Sequence, residues 1–216
     1  VAAARTPRLL VATDYDGTLA PIVADPGQAY PRADAVRALR GLAALPSTSA
    51  AVISGRSLKD LAALSRLPIE VKLVGSHGSE FDIGFINEID PEAKQLLTVL
   101  VDGLASVADK FEGVHIETKP ASVALHVRNA SAEDAERALE IARGDLALRP
   151  GVQVTEGKSV IELSVVATDK GAALDLIRHQ DAATAAVFFG DDVTDEKAFA
   201  SLHGPDVGVK VGDGDT

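Results

Sequence analysis

The sequence predicts an α/β protein with a mainly parallel sheet, into which a smaller α+β segment is inserted. Toward both ends of the chain, short apolar runs alternate with amphipathic helical patterns, as in consecutive βαβ units. These runs are apolar at nearly every position, which is typical of strands buried on both faces. In the middle of the chain, the strand-like segments instead alternate apolar and polar residues, as half-solvated strands do.

The parallel core is predicted from five apolar runs and four helical patterns. We expect its strands at residues 8–13, 49–53, 71–74, 185–189 and 206–211. We expect its helices at residues 32–45, 57–67, 169–180 and 194–202. These elements assign residues 1–90 and 165–216 to the core, which we expect to be cut short at its C-terminal end.

The insertion is predicted over residues 91–164. Residues 91–111 have the apolar spacing of a long amphipathic helix, and a second helix over 131–142 begins at Ser131, a good N-cap. The alternating strands are expected at residues 114–117, 122–128, 152–155 and 159–164, with a hairpin turn between the last two.

The composition excludes several classes of protein. Of the 216 residues, 46% are hydrophobic and 25% are charged, as in an ordinary globular protein. The absence of cysteine excludes a disulfide scaffold, a thiol nucleophile and a zinc–thiolate site. The formal net charge of −11 disfavours nucleic acid and anionic membranes as partners. Because neither a membrane-spanning apolar stretch nor a leader peptide is found, we expect a cytoplasmic protein.

Four polar clusters are predicted to lie at one edge of the sheet. They are residues 14–18 (DYDGT), 54–57 (SGRS), 169–171 (DKG) and 190–196 (GDDVTDE). Open α/β sheets bind their ligands outside the carboxyl ends of the strands, which is where these clusters fall. Each cluster alone would be a weak signal, and their coincidence is what indicates a site.

The first and last clusters bring carboxylates together. Asp14 and Asp16, taken alone, fit an Asp-rich turn as well as they fit a site. Asp191 and Asp192 follow a wholly apolar strand, where a buried charge needs a partner. A shared divalent cation such as Mg²⁺, which prefers carboxylate and carbonyl oxygens, would neutralise both pairs.

The other two clusters suit an anion. Ser54 offers a hydroxyl and free backbone N–H groups at a helix start, and a plain N-cap would explain this serine but not Arg56. Lys170 lies in the first turn of a helix, where a cation opposes the helix dipole unless an anion is near. By contrast, Thr194 as an N-cap and Asp195 in a first helical turn need no functional explanation. Together the clusters suit phosphoryl transfer, with one aspartate free to act as the nucleophile.

These motifs resemble a known superfamily. Residues 14–19 (DYDGTL), Ser54, Lys170 and residues 190–192 (GDD) are similar, in the same order, to the four signature motifs of haloacid dehalogenase superfamily phosphatases. The resemblance implies a Rossmann-like, haloacid dehalogenase-like core. It also implies that the insertion is similar to the type IIB α+β cap of that superfamily.

The resemblance also implies roles for individual residues. Asp14 looks like the nucleophile, and Asp16 looks like the acid that protonates the leaving oxygen and then activates water. Ser54 with Gly55, and Lys170, would hold the phosphoryl group. The implied cofactor is Mg²⁺, and the positions that match its site are the Asp14 side chain, the Asp16 backbone carbonyl, Asp191, and Asp192 as the residue that orients the metal shell.

The insertion adds a resemblance to the trehalose-6-phosphate phosphatase family. The segments that carry it are residues 117–120 (ETKP), 125–128 (LHVR), 157–162 (GKSVIE), 54–56 (SGR) and 75–80 (GSHGSE). The implied sugar-binding residues are Arg56, His77, Glu117, Lys119, Arg128, Lys158 and Glu162. Lysine donates and glutamate accepts hydrogen bonds, and a polyol needs both. Taken singly, each of these residues also has a structural interpretation, such as a same-face strand pair or a hairpin turn.

The resemblance therefore implies a Mg²⁺-dependent phosphomonoesterase that hydrolyses trehalose 6-phosphate through an aspartyl-phosphate, acting as a monomer on a small-molecule sugar phosphate. A phosphatase of sucrose phosphate or of a mannosyl phosphate stays open as an alternative. So does a catalytically silent phosphatase-like module, although such a module has no need of Asp14, Asp16, Lys170 and Asp191 together. A phosphomutase, which retains its phosphoryl group, and an Asp-phosphorylated receiver domain, which would lack the insertion, fit less well.

Overall fold

The computed structural model describes residues 3–81, 84–85, 89–167 and 169–212. The strands are β1 (Leu9–Thr13), β2 (Thr48–Ile53), β3 (Val71–Gly75), β4 (Glu80–Phe81), β5 (Gly84–Phe85), β6 (His115–Thr118), β7 (Ser122–His126), β8 (Gln153–Gly157), β9 (Val160–Ser164), β10 (Ala185–Gly190) and β11 (Val207–Lys210). The α-helices are α1 (Ala33–Ala43), α2 (Leu58–Ser65), α3 (Pro91–Ala108), α4 (Ala132–Ile141), α5 (Lys170–Gln180) and α6 (Glu196–Ser201).

The chain divides into two compact units. Unit 1 comprises Val1–Ile86 and Thr168–Thr216, and unit 2 comprises Asn87–Ala167. Among the helices of the described residues, none combines the length and the apolar character that a membrane span requires.

The sheet of unit 1 has a parallel core, as the sequence predicts. β11, β10, β1, β2 and β3 lie side by side in that order and run parallel. The strand order reverses at β1, because β2 and β3 extend the sheet on one side and β10 and β11 on the other. The carboxyl ends of β1 and β10 therefore flank the switch point at which sheets of this kind bind their ligands.

Helices cover both faces of this sheet, which explains why its strands are apolar throughout. On β2, Ile53 packs in one buried cluster with Leu174 of α5. Its neighbour Val52 points to the other face and packs with Leu39 of α1 and Leu61 of α2. The prediction of strands buried on both faces is confirmed by these two clusters.

The edge of the sheet and some helix ends differ from the prediction. β4 and β5 form a short antiparallel hairpin that pairs with β3, and two-residue strands leave no periodic pattern to detect. α3 ends at Ala108 rather than at residue 111, because the N–H groups of Lys110 and Phe111 donate to carbonyls three residues back and close a tighter turn. α6 begins at Glu196, after a separate 3₁₀ turn.

Unit 2 is an α+β structure with its own buried core. Its antiparallel sheet has the order β6-β7-β9-β8. One face of this sheet packs on the two helices, with Leu104 of α3 and Ala138 of α4 in the same buried cluster as Leu125. The side chain of Ser131 accepts a hydrogen bond from the Asp134 N–H at 3.1 Å, which confirms the predicted N-cap of α4.

The other face of the unit 2 sheet carries polar side chains. The strand register pairs Glu117 of β6 with Ala124 of β7, and Ala124 with Glu162 of β9. Because side chains alternate along a strand, this row lies on the face opposite Leu125. The small, buried alanine thus separates two glutamates on this face, which we call the polar sheet face.

Candidate functional site

Backbone hydrogen bonds bring the loops after β1, β2 and β10 to one edge of the unit 1 sheet. The Asp14 N–H donates to the Phe189 carbonyl of β10 at 2.8 Å, and the Ser54 N–H donates to the Val74 carbonyl of β3 at 2.9 Å. Since the strands are parallel, the residues that follow them share the carboxyl edge. The loop that starts at Asp14 therefore lies beside the loop that carries Asp191.

Asp14, Lys170 and Asp195 form a buried ion cluster. The Lys170 Nζ donates to Asp14 Oδ1 and to Asp195 Oδ1, each at 2.7 Å. The Lys170 side chain is 3% exposed and that of Asp195 is 0% exposed, so these charges are compensated by one another rather than by water. Asp169 accepts from the Ala172 N–H at 2.9 Å and caps α5, which fixes Lys170 in the first helical turn.

Burial and neighbouring charges together shift the pKa values of this cluster. Burial raises the pKa of Asp14 to about 8, although the Lys170 ammonium opposes this shift. Burial alone would lower the pKa of Lys170, but the charges of Asp14 and Asp195 outweigh it and raise that pKa above its ordinary value. Burial also raises the pKa of Asp191, and the charges of Asp192 and Asp195 add to the effect.

Three carboxylates of this cluster could share a cation. Oxygen atoms of Asp14, Asp191 and Asp195 all lie within 4.8 Å of one another. When all three groups are ionised, negative charge is in excess, because the single Lys170 ammonium is bonded to only two of them. Carboxylate oxygens are the ligands that Mg²⁺ prefers, and a divalent cation would offset both the burial and the mutual repulsion that raise the pKa values of Asp14 and Asp191. The donor set therefore fits a hard divalent cation.

Gly17 allows the first loop to wrap closely around Asp191. Its φ is +89°, in the left-handed region that favours glycine, and a Cβ atom there would lie 1.9 Å from Asp191 Oδ2. The neighbouring Thr18 Oγ1 approaches Asp191 Oδ1 at 3.4 Å. Any other residue at position 17 would have to displace the Asp191 carboxylate.

Asp16 pairs with Arg56. The Nε of Arg56 donates to one oxygen of Asp16 and its Nη2 donates to the other, both at 2.6 Å. The predicted acid and a predicted sugar-binding residue are thus bonded to each other, although they lie in loops that follow different strands.

The loop after β2 brings Ser54, Gly55 and His77 together. Ser54 is buried, and its Oγ accepts from the Arg56 N–H at 3.1 Å. A Cβ atom at Gly55 would lie 2.6 Å from the His77 ring, so the ring occupies the space that the glycine leaves. The His77 N–H donates to the Ser54 carbonyl at 2.9 Å, which joins the loops after β2 and β3.

Asp192 caps the 3₁₀ turn at Val193–Asp195. Its Oδ1 accepts from the Thr194 N–H at 2.8 Å and from the Thr194 hydroxyl at 2.7 Å. The prediction that Thr194 is the N-cap is therefore wrong: Asp192, two positions earlier, caps the 3₁₀ turn, and the N-cap position of α6 is Asp195. Burial alone would raise the pKa of Asp192, but the hydrogen bonds from Thr194 and the charge of Lys170 lower it.

Asp195 is the site residue that the sequence analysis missed. Its Oδ2 accepts from the N–H groups of Asp191 and Asp192 at 3.0 and 3.2 Å, while Oδ1 accepts from Lys170. It was assigned only to a helix start, which its charge also suits. The available signal was its spacing of four residues after Asp191, which brings a third carboxylate back to the same strand end.

Two of the predicted sugar-binding residues of unit 2 are bonded to each other. The Lys119 Nζ donates to Glu162 Oε2 at 2.8 Å, and the Ser122 hydroxyl donates to Glu162 Oε1 at 2.6 Å. Lys119 is buried, and the Glu162 side chain is mostly buried. This pair presents a fixed donor and a fixed acceptor on the polar sheet face.

The other three predicted sugar-binding residues of unit 2 are Glu117, Arg128 and Lys158. The Oε2 of Glu117 lies 2.9 Å from His126 Nε2, and the His126 ring stacks on that of His115 at 5.0 Å. His126 is outside the predicted set. Arg128 and Lys158 are exposed, the first just after β7 and the second in the turn between β8 and β9.

Comparison with known proteins identifies the family. The model of the trehalose-phosphatase family matches residues 12–212. The chain belongs to this family. The match confirms the resemblance predicted from the sequence, and it includes every candidate residue of both units.

Curated relatives agree with this assignment. A trehalose-phosphate phosphatase from Mycobacterium ulcerans is 36% identical over 95% of this chain and 54% of its own length. The trehalose-6-phosphate phosphatase of Escherichia coli is 31% identical over 94% of this chain and 77% of its own length. The chain thus spans about half the length of the mycobacterial relative.

Solved structures of family members share the fold. The C-terminal domain of trehalose-6-phosphate phosphatase from C. albicans has a TM-score of 0.75 and is 29% identical, over 93% of this chain and 75% of that one. A trehalose-6-phosphate phosphatase related protein has a TM-score of 0.74 and is 30% identical, over 96% and 88%. The predicted fold class, an α/β core with a mainly parallel sheet, is confirmed.

Proposed function

We propose that this chain hydrolyses trehalose 6-phosphate to trehalose and inorganic phosphate, with Asp14 as the nucleophile. The observation that carries the proposal is the buried contact between Asp14 and Lys170 at 2.7 Å, beside Asp191 and Asp195. A lysine held against a carboxylate supplies positive charge where phosphoryl oxygens would arrive. The names of the relatives supply the substrate.

The phosphoryl group would pass to water in two steps. A carboxylate oxygen of Asp14 attacks phosphorus, the bond from phosphorus to the sugar oxygen breaks, and Asp16 gives that oxygen its proton. Asp16 then takes a proton from a water molecule, whose oxygen attacks the phosphorus of the aspartyl-phosphate. The bond from phosphorus to Asp14 breaks, which releases phosphate and restores the carboxylate. The Ser54 hydroxyl, the Gly55 backbone and the Lys170 ammonium would hold the phosphoryl oxygens.

Mg²⁺ is the proposed cofactor, and the clustered carboxylates support it. The Asp14 and Asp191 side chains and the Asp16 backbone carbonyl would hold the ion, with Asp192 orienting its shell and Asp195 fixing the loop that carries Asp191. When bound, Mg²⁺ would neutralise the charge that develops on the phosphoryl oxygens.

The polar sheet face of unit 2 would bind the sugar. Lys119 and Glu162 form a fixed donor and acceptor pair, and Glu117 adds an acceptor in the same row as Glu162. A disaccharide presents hydroxyls that need both kinds of partner. Arg128 and Lys158, which are exposed, would add donors at the rim. In this proposal unit 1 is the catalytic core and unit 2 is a substrate-recognising cap.

Phosphate release from a panel of sugar phosphates, with and without Mg²⁺, tests the proposal. The panel contains trehalose 6-phosphate, sucrose phosphate and a mannosyl phosphate, and the Asp14→Asn variant serves as the blank. We expect Mg²⁺-dependent release from trehalose 6-phosphate, above that from the others. Preference for another sugar phosphate would discard the substrate and keep the reaction. No release from the folded protein would favour a catalytically silent module.

A further inference from the structure

We propose that Arg56 is a positioning residue for Asp16, whose carboxylate it orients for proton transfer, rather than a ligand of the sugar. This inference rests on the proposed function, in which Asp16 moves the proton of the leaving oxygen and then that of water. It changes the role of Arg56, which the sequence resemblance placed among the sugar-binding residues.

The contact between the two side chains is a bidentate fork. Arg56 Nε donates to Asp16 Oδ2 and Arg56 Nη2 donates to Asp16 Oδ1, both at 2.6 Å. Two parallel hydrogen bonds between planar groups fix the plane of the carboxylate, which a single bond would leave free to rotate. Two of the five guanidinium N–H donors, including the single one on Nε, are thereby directed at Asp16.

The arginine itself is held at several points. Its guanidinium lies over the ring of the fully buried Tyr15, with Cζ 5.5 Å from the ring centroid. Its N–H donates to Ser54 Oγ at 3.1 Å, and its carbonyl accepts from the Ser76 N–H at 2.7 Å. Loops after three strands therefore determine where the fork lies, which makes Arg56 a rigid support.

The fork leaves Asp16 able to react. A carboxylate has about four lone-pair positions, and the fork occupies two of them. The Asp16 side chain is 34% exposed while that of Arg56 is 14% exposed, so the carboxylate is more accessible to solvent than the arginine that supports it. Proton transfer depends steeply on such placement, and a displacement of about 1 Å can reduce a rate about 100-fold.

The test compares two leaving groups in the Arg56→Gln variant. The sugar oxygen needs a proton as it leaves, whereas p-nitrophenolate leaves as an anion without one. We expect the single-turnover rate of the first step to fall about 100-fold with trehalose 6-phosphate and less than about threefold with p-nitrophenyl phosphate. Equal losses with both substrates would overturn the proposal.

Substrate affinity separates positioning from sugar binding. Calorimetric titration of trehalose 6-phosphate, with Mg²⁺, is performed on Asp14→Asn and on Asp14→Asn with Arg56→Gln. We expect the two dissociation constants to agree within about threefold, because the fork does not contact the sugar. A tenfold or greater weakening would return Arg56 to the sugar site and overturn the proposal.

Combination with Asp16→Asn tests whether Arg56 acts through Asp16. We expect Arg56→Gln to reduce the first-step rate about 100-fold in the parent and hardly at all in Asp16→Asn, since contacting residues that act together are not additive. A full additional loss in the double variant would contradict the proposal.

A matched control and a conservative variant show whether misfolding explains the effect of Arg56→Gln. On an exposed surface, Arg32 donates to both carboxylate oxygens of Asp34 through its Nε and Nη2 atoms, at 3.2 and 3.1 Å. Arg32→Gln should therefore leave the first-step rates with trehalose 6-phosphate and with p-nitrophenyl phosphate unchanged. Arg56→Lys keeps the charge but not the fork, and we expect it to show the same leaving-group difference with a parent-like Tm. An inactive parent would refute the proposed function, whereas an active parent with equal losses would refute only this inference.

Discussion

At the scale of single residues, Asp195 organises the candidate site without being placed in the chemistry. One carboxylate accepts from Lys170 and from two consecutive backbone N–H groups, those of Asp191 and Asp192. It therefore fixes the lysine that faces Asp14 and the loop that presents Asp191. A fully buried carboxylate with three hydrogen-bond partners is expected to determine stability as much as activity.

The Asp195→Ala variant tests that role. Truncation leaves the buried Lys170 ammonium with a single anion and two partly buried N–H groups without that acceptor, so we expect a loss of about 3 kcal/mol in the free energy of unfolding. Urea unfolding measures it. Asp192→Ala is the matched control, because it removes only a turn cap and should cost about 1 kcal/mol. Equal losses in the two variants would show that Asp195 is no more than another cap.

At the scale of elements, the loop after β1 and the polar sheet face of unit 2 each depend on a small residue. Gly17 leaves room for the Asp191 carboxylate, and Ala124 separates Glu117 from Glu162. In both places the small side chain determines where the neighbouring carboxylates can lie. The consequences can be tested separately, since the proposed function assigns the phosphate to the loop after β1 and the sugar to the polar sheet face.

Gly17→Ala should damage the cation site more than the fold. The new Cβ atom would lie 1.9 Å from Asp191 Oδ2, so the carboxylate must move, and the φ of +89° is strained for alanine. We expect the Mg²⁺ concentration for half-maximal activity to rise at least about tenfold. Gly41→Ala in α1 is the control, because a Cβ there meets nothing within 4 Å, and it should stabilise the helix by about 0.5–1 kcal/mol. An unchanged Mg²⁺ requirement would remove Asp191 from the metal ligands.

Glu162→Ala should separate sugar recognition from phosphate chemistry. The variant removes the acceptor held by Lys119 and Ser122 on the polar sheet face, so kcat/KM for trehalose 6-phosphate should fall about 100-fold. The same ratio for p-nitrophenyl phosphate should hardly change. Glu156→Ala, on the neighbouring strand and bonded to the exposed Arg143, is the control and should affect neither substrate. Equal losses on both substrates would place Glu162 outside the sugar site.

At the scale of the whole molecule, unit 2 is a continuous segment with a complete core. All members of its buried cluster, among them Leu100, Leu104 and Ile161, belong to residues 87–167. Unit 1, by contrast, is assembled from two separate segments of the chain. The continuous unit has what independent folding requires.

A fragment of residues 87–167 should therefore fold alone. We expect circular dichroism with both helical and strand signals and a single cooperative thermal transition. Leu104→Ala, at a fully buried position, should lower the free energy of unfolding of the fragment by about 3 kcal/mol. A fragment without a cooperative transition would show that unit 2 needs unit 1 to fold.

What the sequence predicts depends on whether the determining contacts are local. The central strands were predicted because burial on both faces makes them apolar throughout, as Val52 and Ile53 illustrate. The α4 cap was predicted because Ser131 and its partner lie three residues apart. The contacts of Asp195 and Arg56 were not predicted, because their partners are distant in the sequence. Lys170 lies 25 residues from Asp195, and Asp16 lies 40 residues from Arg56. Contacts between residues so far apart in the sequence form only once the sheet has been assembled.

β1 and β10 pair in the sheet although they are far apart in the sequence. The residues of the candidate site are therefore synthesised at different times. Asp14 leaves the ribosome 156 residues before Lys170, which at about 5–20 residues per second is a delay of roughly 8–30 s. During that interval the Asp14 carboxylate lacks the lysine with which it pairs in the folded protein. Unit 2, which is contiguous, has time to fold before β10, the partner strand of β1, has been synthesised. A growing chain therefore completes the proposed site only after Lys170 and Asp195 have been synthesised.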